Sequence, residues 1–343
     1  MAFFANSNDS FACKIFSSLP DRDIQFSSNE WFTCVHLHFG IPVPLLKPFI
    51  GEKIKNNPRC PTLTVDPFAF NLTTVTGILG GGTQRNHNTI AGIVSNDLSK
   101  AGIQHLGGSS DKTCKAIFRS AIPQNISAIS DTNDKKINSI VADMVIFNKT
   151  DDGPLGRADH LIDFKTLAGG LRYQTNSTHF RHAVSKRQTD VNSNYYHTAK
   201  DLDRRLHNTP HDLMGPFTTI LHQHGKEGRV LGPVIGIFGE ASDDLGEIRD
   251  LVAFQLARKY CDISKCSISE ASGMFKNKIN KKWGHAIARG WSRLIGDRLR
   301  DSVTDHKLSH SMNTTIEASW PEVHEVHDAF HHFNLLHSGG TPP

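Results

Sequence analysis

Residues 140–167 constrain the fold more than any other part of this 343-residue chain. Two short runs, Ile140 to Phe147 and His160 to Leu167, are rich in β-branched and aromatic residues. Between them, Asp151-Asp152-Gly153-Pro154-Leu155-Gly156 carries turn chemistry. The pattern predicts two strands that pair as a hairpin. Side chains alternate along a strand, so Asp163 and Lys165 share one face and Ile162 and Phe164 the other. Pairing brings Asp143 to Asp163 at one end of a buried sheet. Buried carboxylates are costly unless they are paired or bind a cation. Two carboxylates and a lysine placed there can hold a hard divalent cation and position a water. The same residues also fit a plainer arrangement, with Asp163 and Lys165 as a surface pair and Asp143 ending the first strand.

The rest of the chain supplies layers for that sheet. Asn86 is placed to cap a helix running to Gly102, with Ile90, Ile93, Val94, Leu98 and Ala101 along one face. Residues 107–138 read as polar and irregular, with a strand at 116–118. A polar helix is expected over 181–207, carrying Arg187 and Tyr196. Val230 to Phe238 reads as a further strand, and Ser242 or Asp243 opens a helix with Leu245, Ile248, Leu251, Val252 and Leu256 inward. Helices alternating with strands indicate α/β layering, a central mixed sheet flanked by helices.

The last strong helix is expected over 274–302. Ile279, Trp283, Ile287, Trp291, Leu294 and Ile295 recur at helical spacing, while Lys281, Lys282, Arg289 and Arg293 lie among its many cations. A basic outer face over an apolar inner one suits a helix lying along phosphates, and equally an ordinary solvated face. The formal charge of +4 permits an anionic partner without requiring one.

Ahead of these elements, residues 1–58 read as a lead-in: a short helix around 30–38, then an extended connector through Pro42 and Pro44. Residues 59–84 read as loop, ending in Gly80-Gly81-Gly82 with no Gly-Lys-Ser/Thr to make it a phosphate cradle. Residues 303–343 form a tail rich in histidine, including His324, His327, His331, His332 and His337, read as solvated and flexible. No apolar run reaches membrane-spanning length, and the start carries no signal-peptide pattern. The six cysteines include no Cys-x-x-Cys pair, so a reducing, intracellular compartment is expected.

Several segments, in order, resemble one family. They are Val35-His36-Leu37-His38-Phe39-Gly40-Ile41-Pro42, Cys60-Pro61 with Asp66-Pro67-Phe68, and Arg85-Asn86-His87-Asn88 opening a helix. Then come Ala142-Asp143-Met144-Val145-Ile146, Ile162-Asp163-Phe164-Lys165, Phe238-Gly239-Glu240-Ala241 and Ala286-Ile287-Ala288-Arg289-Gly290-Trp291. Together, over residues 30–302, they resemble the C-terminal part of reverse-transcriptase polyproteins of non-LTR retrotransposons. In that family a cysteine/histidine knuckle precedes a restriction-like endonuclease of the PD-(D/E)xK fold.

The resemblance implies an endonuclease-like domain over 85–302, a nuclear location, and DNA at a retroelement target site as partner, with the element's RNA as a second one. It implies metal-dependent nicking, with Asp143, Asp163 and Lys165 as catalytic residues. Mg²⁺ or Mn²⁺ would be held by Asp143, Asp163 and the Phe164 carbonyl, with Asp97 as an additional acidic ligand. His87 would touch phosphate, and Arg187 and Tyr196 would contact or stack on DNA; helix packing and a solvated helix are the plainer roles for these three. A catalytically inactive nucleic-acid-binding remnant of the same fold is the alternative. Two departures stand out. Ala142 occupies the position of the proline that names the fold, and residues 69–78 lack the knuckle's cysteines and histidines, which puts zinc there in doubt.

Overall fold

The computed structural model describes residues 11, 14–17, 20, 24–55, 61–75, 82–107, 114–123, 140–148, 155–156, 158–169, 177–224 and 228–303. In chain order, the elements are α1 (Ser28–Phe39), α2 (Phe70–Thr74), α3 (Gly82–Ala101), β1 (Gln104–Gly107), β2 (Met144–Asn148), β3 (Ala158–Ile162) and β4 (Lys165–Leu167). They continue with α4 (Ser177–His207), α5 (Pro216–Gln223), β5 (Val234–Gly236), α6 (Asp243–Ser264) and α7 (Ile268–Val303). The molecule is mixed α/β.

The expected hairpin forms. β2 pairs antiparallel with β3 in the register Met144↔Ile162 through Asn148↔Ala158, and β1 pairs antiparallel with the other edge of β2. β4 carries the chain of β3 onward and pairs parallel with β5. Hydrogen bonds from Asp163 N to Leu231 O and from Lys165 N to Pro233 O, both 2.9 Å, carry the pairing between the two short sheets. Residues 163–164 therefore sit where the antiparallel neighbour runs out and the parallel one takes over.

Alternation along these strands feeds two separate cores. Met144, Ile146, Ile162 and Phe164 pack with residues of α3, α6 and α7. Val145 and Leu161 pack with Val191, Tyr195, Ala199 and Leu202 of α4, and with Phe217 and Leu221 of α5. A sheet covered on both faces explains why its strands read as almost unbroken apolar runs.

α7 forms where the pattern put it, beginning six residues earlier and with its apolar residues inward, but it is more enclosed than a surface helix. It packs against α6, α3, α1 and α2 and is buried through most of its middle. Trp283 and Trp291 are 3% and 2% exposed. Each indole removes about 200 Å² from water, an upper limit of about 5 kcal/mol. Small residues permit the crowding: a Cβ on Gly284 would meet Phe11 O at 2.3 Å, and one on Gly290 would meet Asn86 Oδ1 at 2.0 Å. The crowding draws Lys282 inward, while Lys278, Arg293 and Arg300 stay exposed.

Other boundaries also moved. α3 begins at Gly82, so Asn86 lies inside the helix and under Gly290 instead of capping it, while Gly102, at φ +75°, does end it. Residues 114–121 form a 3₁₀ turn rather than a strand, and so do Pro44–Phe49 in place of an extended connector. Within the expected loop, Asp66 accepts from the backbone N–H groups of Phe68, Phe70 and Asn71, which nucleates α2. The lead-in is not separate from the rest: Leu37, Val43, Leu46 and Phe49 share a core with Ile295 and Leu299 of α7. The His-rich tail from residue 304 lies outside the described residues, as does Cys60.

Candidate active site

One step beyond the last ladder pair, Met144↔Ile162, the same register sets Asp143 opposite Asp163. Three contacts hold Asp143 there. Gly107, at φ +100°, lets β1 approach so closely that a Cβ would lie 2.3 Å from Asp143 O. Tyr195 of α4 donates its hydroxyl to Val141 O at 3.1 Å, and the backbone N–H of Phe164 donates to Asp143 Oδ2 at 2.7 Å. Ala142, next to it, is buried in the core beneath α4.

The two carboxyls lie within hydrogen-bonding reach of each other. Lys165 Nζ bonds Asp163 Oδ1 at 2.7 Å and Oδ2 at 2.6 Å, a fork that fixes the ammonium at the mouth of the site. His87, projecting from the first turns of α3, completes the group. Its Nε2 lies 3.0 Å from Asp143 Oδ2 and 3.1 Å from the Phe164 carbonyl oxygen. Its ring stands edge-on to Phe164, with centroids 6.2 Å apart. The Asn86–Gly290 contact presses that end of α3 onto α7 and so sets where His87 points.

Electrostatics differ between the two acids. Burial pushes the Asp163 carboxyl up to about 6; the Lys165 charge opposes this and the neighbouring Asp143 charge adds to it. Burial also raises Asp143, but the hydrogen bond and charge of His87, the shared hydrogen bond with Asp163 and the charge of Lys165 outweigh it and hold the group below the usual range. His87 moves up: burial lowers it, and the hydrogen bond and charge of Asp143 more than reverse that. Environments that drive two neighbouring carboxyls apart are a common feature of acid–base sites.

The structure does not bring every expected residue here. Asp97 is ten residues along α3 from His87, about 15 Å at helical rise. It is buried, and its two oxygens accept from Lys282 Nζ at 2.5 Å and Trp283 Nε1 at 2.9 Å. It is neither at the hairpin end nor an exposed helix residue. Lys282 is thereby turned inward. Arg289 bonds Glu30 of α1 at 3.3 Å, and Arg293 bonds the same carboxylate. Of the four α7 cations expected on nucleic acid, three pair with carboxylates of the protein, Arg293 while still 51% exposed, and Lys281 is half-buried. Arg187 and Tyr196 are exposed on α4, where Lys200 Nζ lies 5.2 Å from the Tyr196 ring centroid. A cavity of about 560 Å³ opens near Lys200, Arg204, His197 and His211, but no residue of the hairpin-end group lines it, and the convergent chemistry lies at the hairpin.

Asp143 and the Phe164 carbonyl, with Asp163 alongside, fit a hard divalent cation, because oxygen donors on two strands converge on one point. Among the described residues, no three His, Cys, Asp or Glu side chains stand ready together as a metal-ligand group. The oxygen set here depends on a main-chain carbonyl as well. Gly107, Tyr195 and Gly290 were missed in the sequence.

The chain matches no protein-family model, no curated protein and no solved structure. Among the described residues, no helix is long and apolar enough to cross a membrane.

Proposed function

We propose that this chain is a metal-dependent endonuclease that hydrolyses phosphodiester bonds in DNA, with a restriction-endonuclease-like core of the kind found in non-LTR retrotransposon polyproteins. The observation that carries the reading is Asp143 facing Asp163 across the hairpin end, with the Lys165 ammonium forked onto Asp163. The three-stranded antiparallel sheet and the adjoining parallel pair support it too, since helices cover both faces and a helical crossover leads into the parallel strand.

Asp143, Asp163 and the Phe164 carbonyl would hold Mg²⁺ or Mn²⁺; the cation would supply positive charge to the phosphoryl oxygens and acidify a water. Asp163 holds Lys165, whose ammonium is placed to orient that water and to stabilise charge developing on phosphorus. Asp97 is left out of the ligand set. With Lys282 buried and Arg289 and Arg293 tied to Glu30, contact with DNA rests mainly on α4, where Lys186, Arg187 and Tyr196 face solvent.

The test is nicking of supercoiled plasmid by the purified chain with Mg²⁺ or Mn²⁺. Asp163→Ala should lower the rate about 10²–10³-fold. Cleavage unchanged by that substitution would sink the reading, and salt-sensitive DNA binding without nicking would identify an inactive nucleic-acid-binding remnant instead.

A further inference from the structure

We propose that His87 is itself a ligand of the divalent cation, through Nε2, and that this imidazole makes the site prefer Mn²⁺ over Mg²⁺. The inference rests on the reading of Asp143 and Phe164 as cation ligands and goes beyond the phosphate contact first expected of this histidine.

Two sets of distances carry it. The Nε2 atom lies 3.0 Å from Asp143 Oδ2 and 3.1 Å from Phe164 O. Neighbouring donors in an octahedral shell with bonds of about 2.1 Å are separated by about 3.0 Å. Two edges of one face of such a shell, both meeting at Nε2, therefore already have that spacing. On the far side of the ring, Nδ1 lies 3.1 Å from Asn88 Oδ1, an oxygen that also accepts from Gln84 Nε2 at 2.9 Å. An amide oxygen can only accept, so Nδ1 carries a hydrogen. Asp143 Oδ2 and Phe164 O are acceptors too, so without a cation Nε2 carries one as well; a cation arriving there displaces that proton and takes the Nε2 lone pair. Metal-bound histidines commonly have their other nitrogen anchored in this way.

The ring has little freedom to do anything else. Phe164 supports it edge-to-face, and the α3 turn that carries it is pinned at Gly290. Imidazole favours the first-row transition ions, whereas Mg²⁺ selects oxygen and keeps its waters. Adding one nitrogen to carboxylate and carbonyl oxygens therefore shifts the preference toward Mn²⁺.

Pulsed electron paramagnetic resonance on the full chain with Mn²⁺ alone reads the bond directly. Protein with ¹⁵N-labelled histidine should show coupling from a histidine nitrogen bound to Mn²⁺. That coupling should vanish in His87→Gln. In the same variant, Mn²⁺ affinity should fall about tenfold or more, while Mg²⁺ affinity changes less than about threefold. The labelled unmutated chain gives its answer whether or not the variant folds. Mn²⁺ bound in a manner abolished by Asp143→Asn, but without histidine coupling, overturns the inference and leaves the nuclease reading standing. Coupling that survives His87→Gln overturns it as well. Absence of Mn²⁺ binding that responds to Asp143→Asn removes both.

Discussion

α3 carries two meetings of acid and cation, and they behave differently. At its C-terminal half, Asp97, Lys282 and Trp283 form a sealed unit, with side chains of the ion pair only 8% and 10% exposed. One charge cancels the other, and both carboxylate oxygens have donors. At its N-terminal end, His87 meets Asp143 beside Asp163 and Lys165, with side-chain exposures of 15%, 23%, 9% and 33% respectively. There, two carboxyls face each other and one edge of the cluster reaches solvent. Burial of charge alone therefore does not mark a place for chemistry. A second acid without its own sealed partner, and an opening to water, do.

That contrast can be broken in several ways. The largest effect should come from Asp163→Ala, which is expected to slow plasmid nicking about 10²–10³-fold. An equal loss from Asp97→Ala in a folded protein would erase the distinction between the clusters. Asp97→Ala should instead act on stability. It leaves the Lys282 ammonium buried without its partner, which costs about 3–5 kcal/mol, measured by urea denaturation.

pH sharpens the comparison next. With a folded value near 6 against about 3.9 unfolded, Asp163 binds its proton more tightly in the native state. Its stabilisation is complete below about pH 4 and is lost as pH rises through 6. His87, raised above its ordinary value, has the same sign: its contribution is present below about 6.5 and disappears as pH rises through the folded value. Asp143, held low, runs the other way and weakens the fold only as pH falls through its own depressed range. The parent should therefore lose about 2 kcal/mol from Asp163 between pH 4.5 and 7. Asp163→Asn should remove most of that slope, and an unchanged slope in denaturation at the two pH values would refute the shared-proton arrangement.

Gly290→Ala should be smaller still. The added methyl runs into Asn86, at a cost of about 1–3 kcal/mol, and tilts the turn that carries His87. Nicking should fall with it, whereas Gly296→Ala, with open space at its Cβ inside the same helix, should leave nicking unchanged and raise stability by about 0.5–1 kcal/mol.

The hairpin was legible because its information is local: alternation, turn residues and carboxylates inside apolar strands all lie within about thirty residues. Alternation alone put Asp163 and Lys165 on one face, as found. α7 was harder to read, because the partners of its cations are remote in sequence. Lys282 reaches back 185 residues to Asp97, and Arg289 reaches back 259 residues to Glu30. No periodicity within one helix discloses such pairs. Gly284, Ala286, Ala288, Gly290 and Ser292 did carry a hint, since small residues opposite Ile287 and Trp291 leave room for neighbours on every side. The site's acids could be read for the same reason as the hairpin. Its histidine support could not, because Asn86 meets Gly290 across about two hundred positions.

Glu30 clasping Arg289 and Arg293 has a consequence for how the molecule comes into being. During synthesis, α1 and the hairpin emerge long before α7, the wall on which α3 leans. Until that late helix leaves the ribosome, His87 has no fixed bearing and the early apolar segments have nothing to close against. A product halted before residue 284 would carry both hairpin acids yet lack the support that aims a histidine at them, and it should be left to chaperones and proteases.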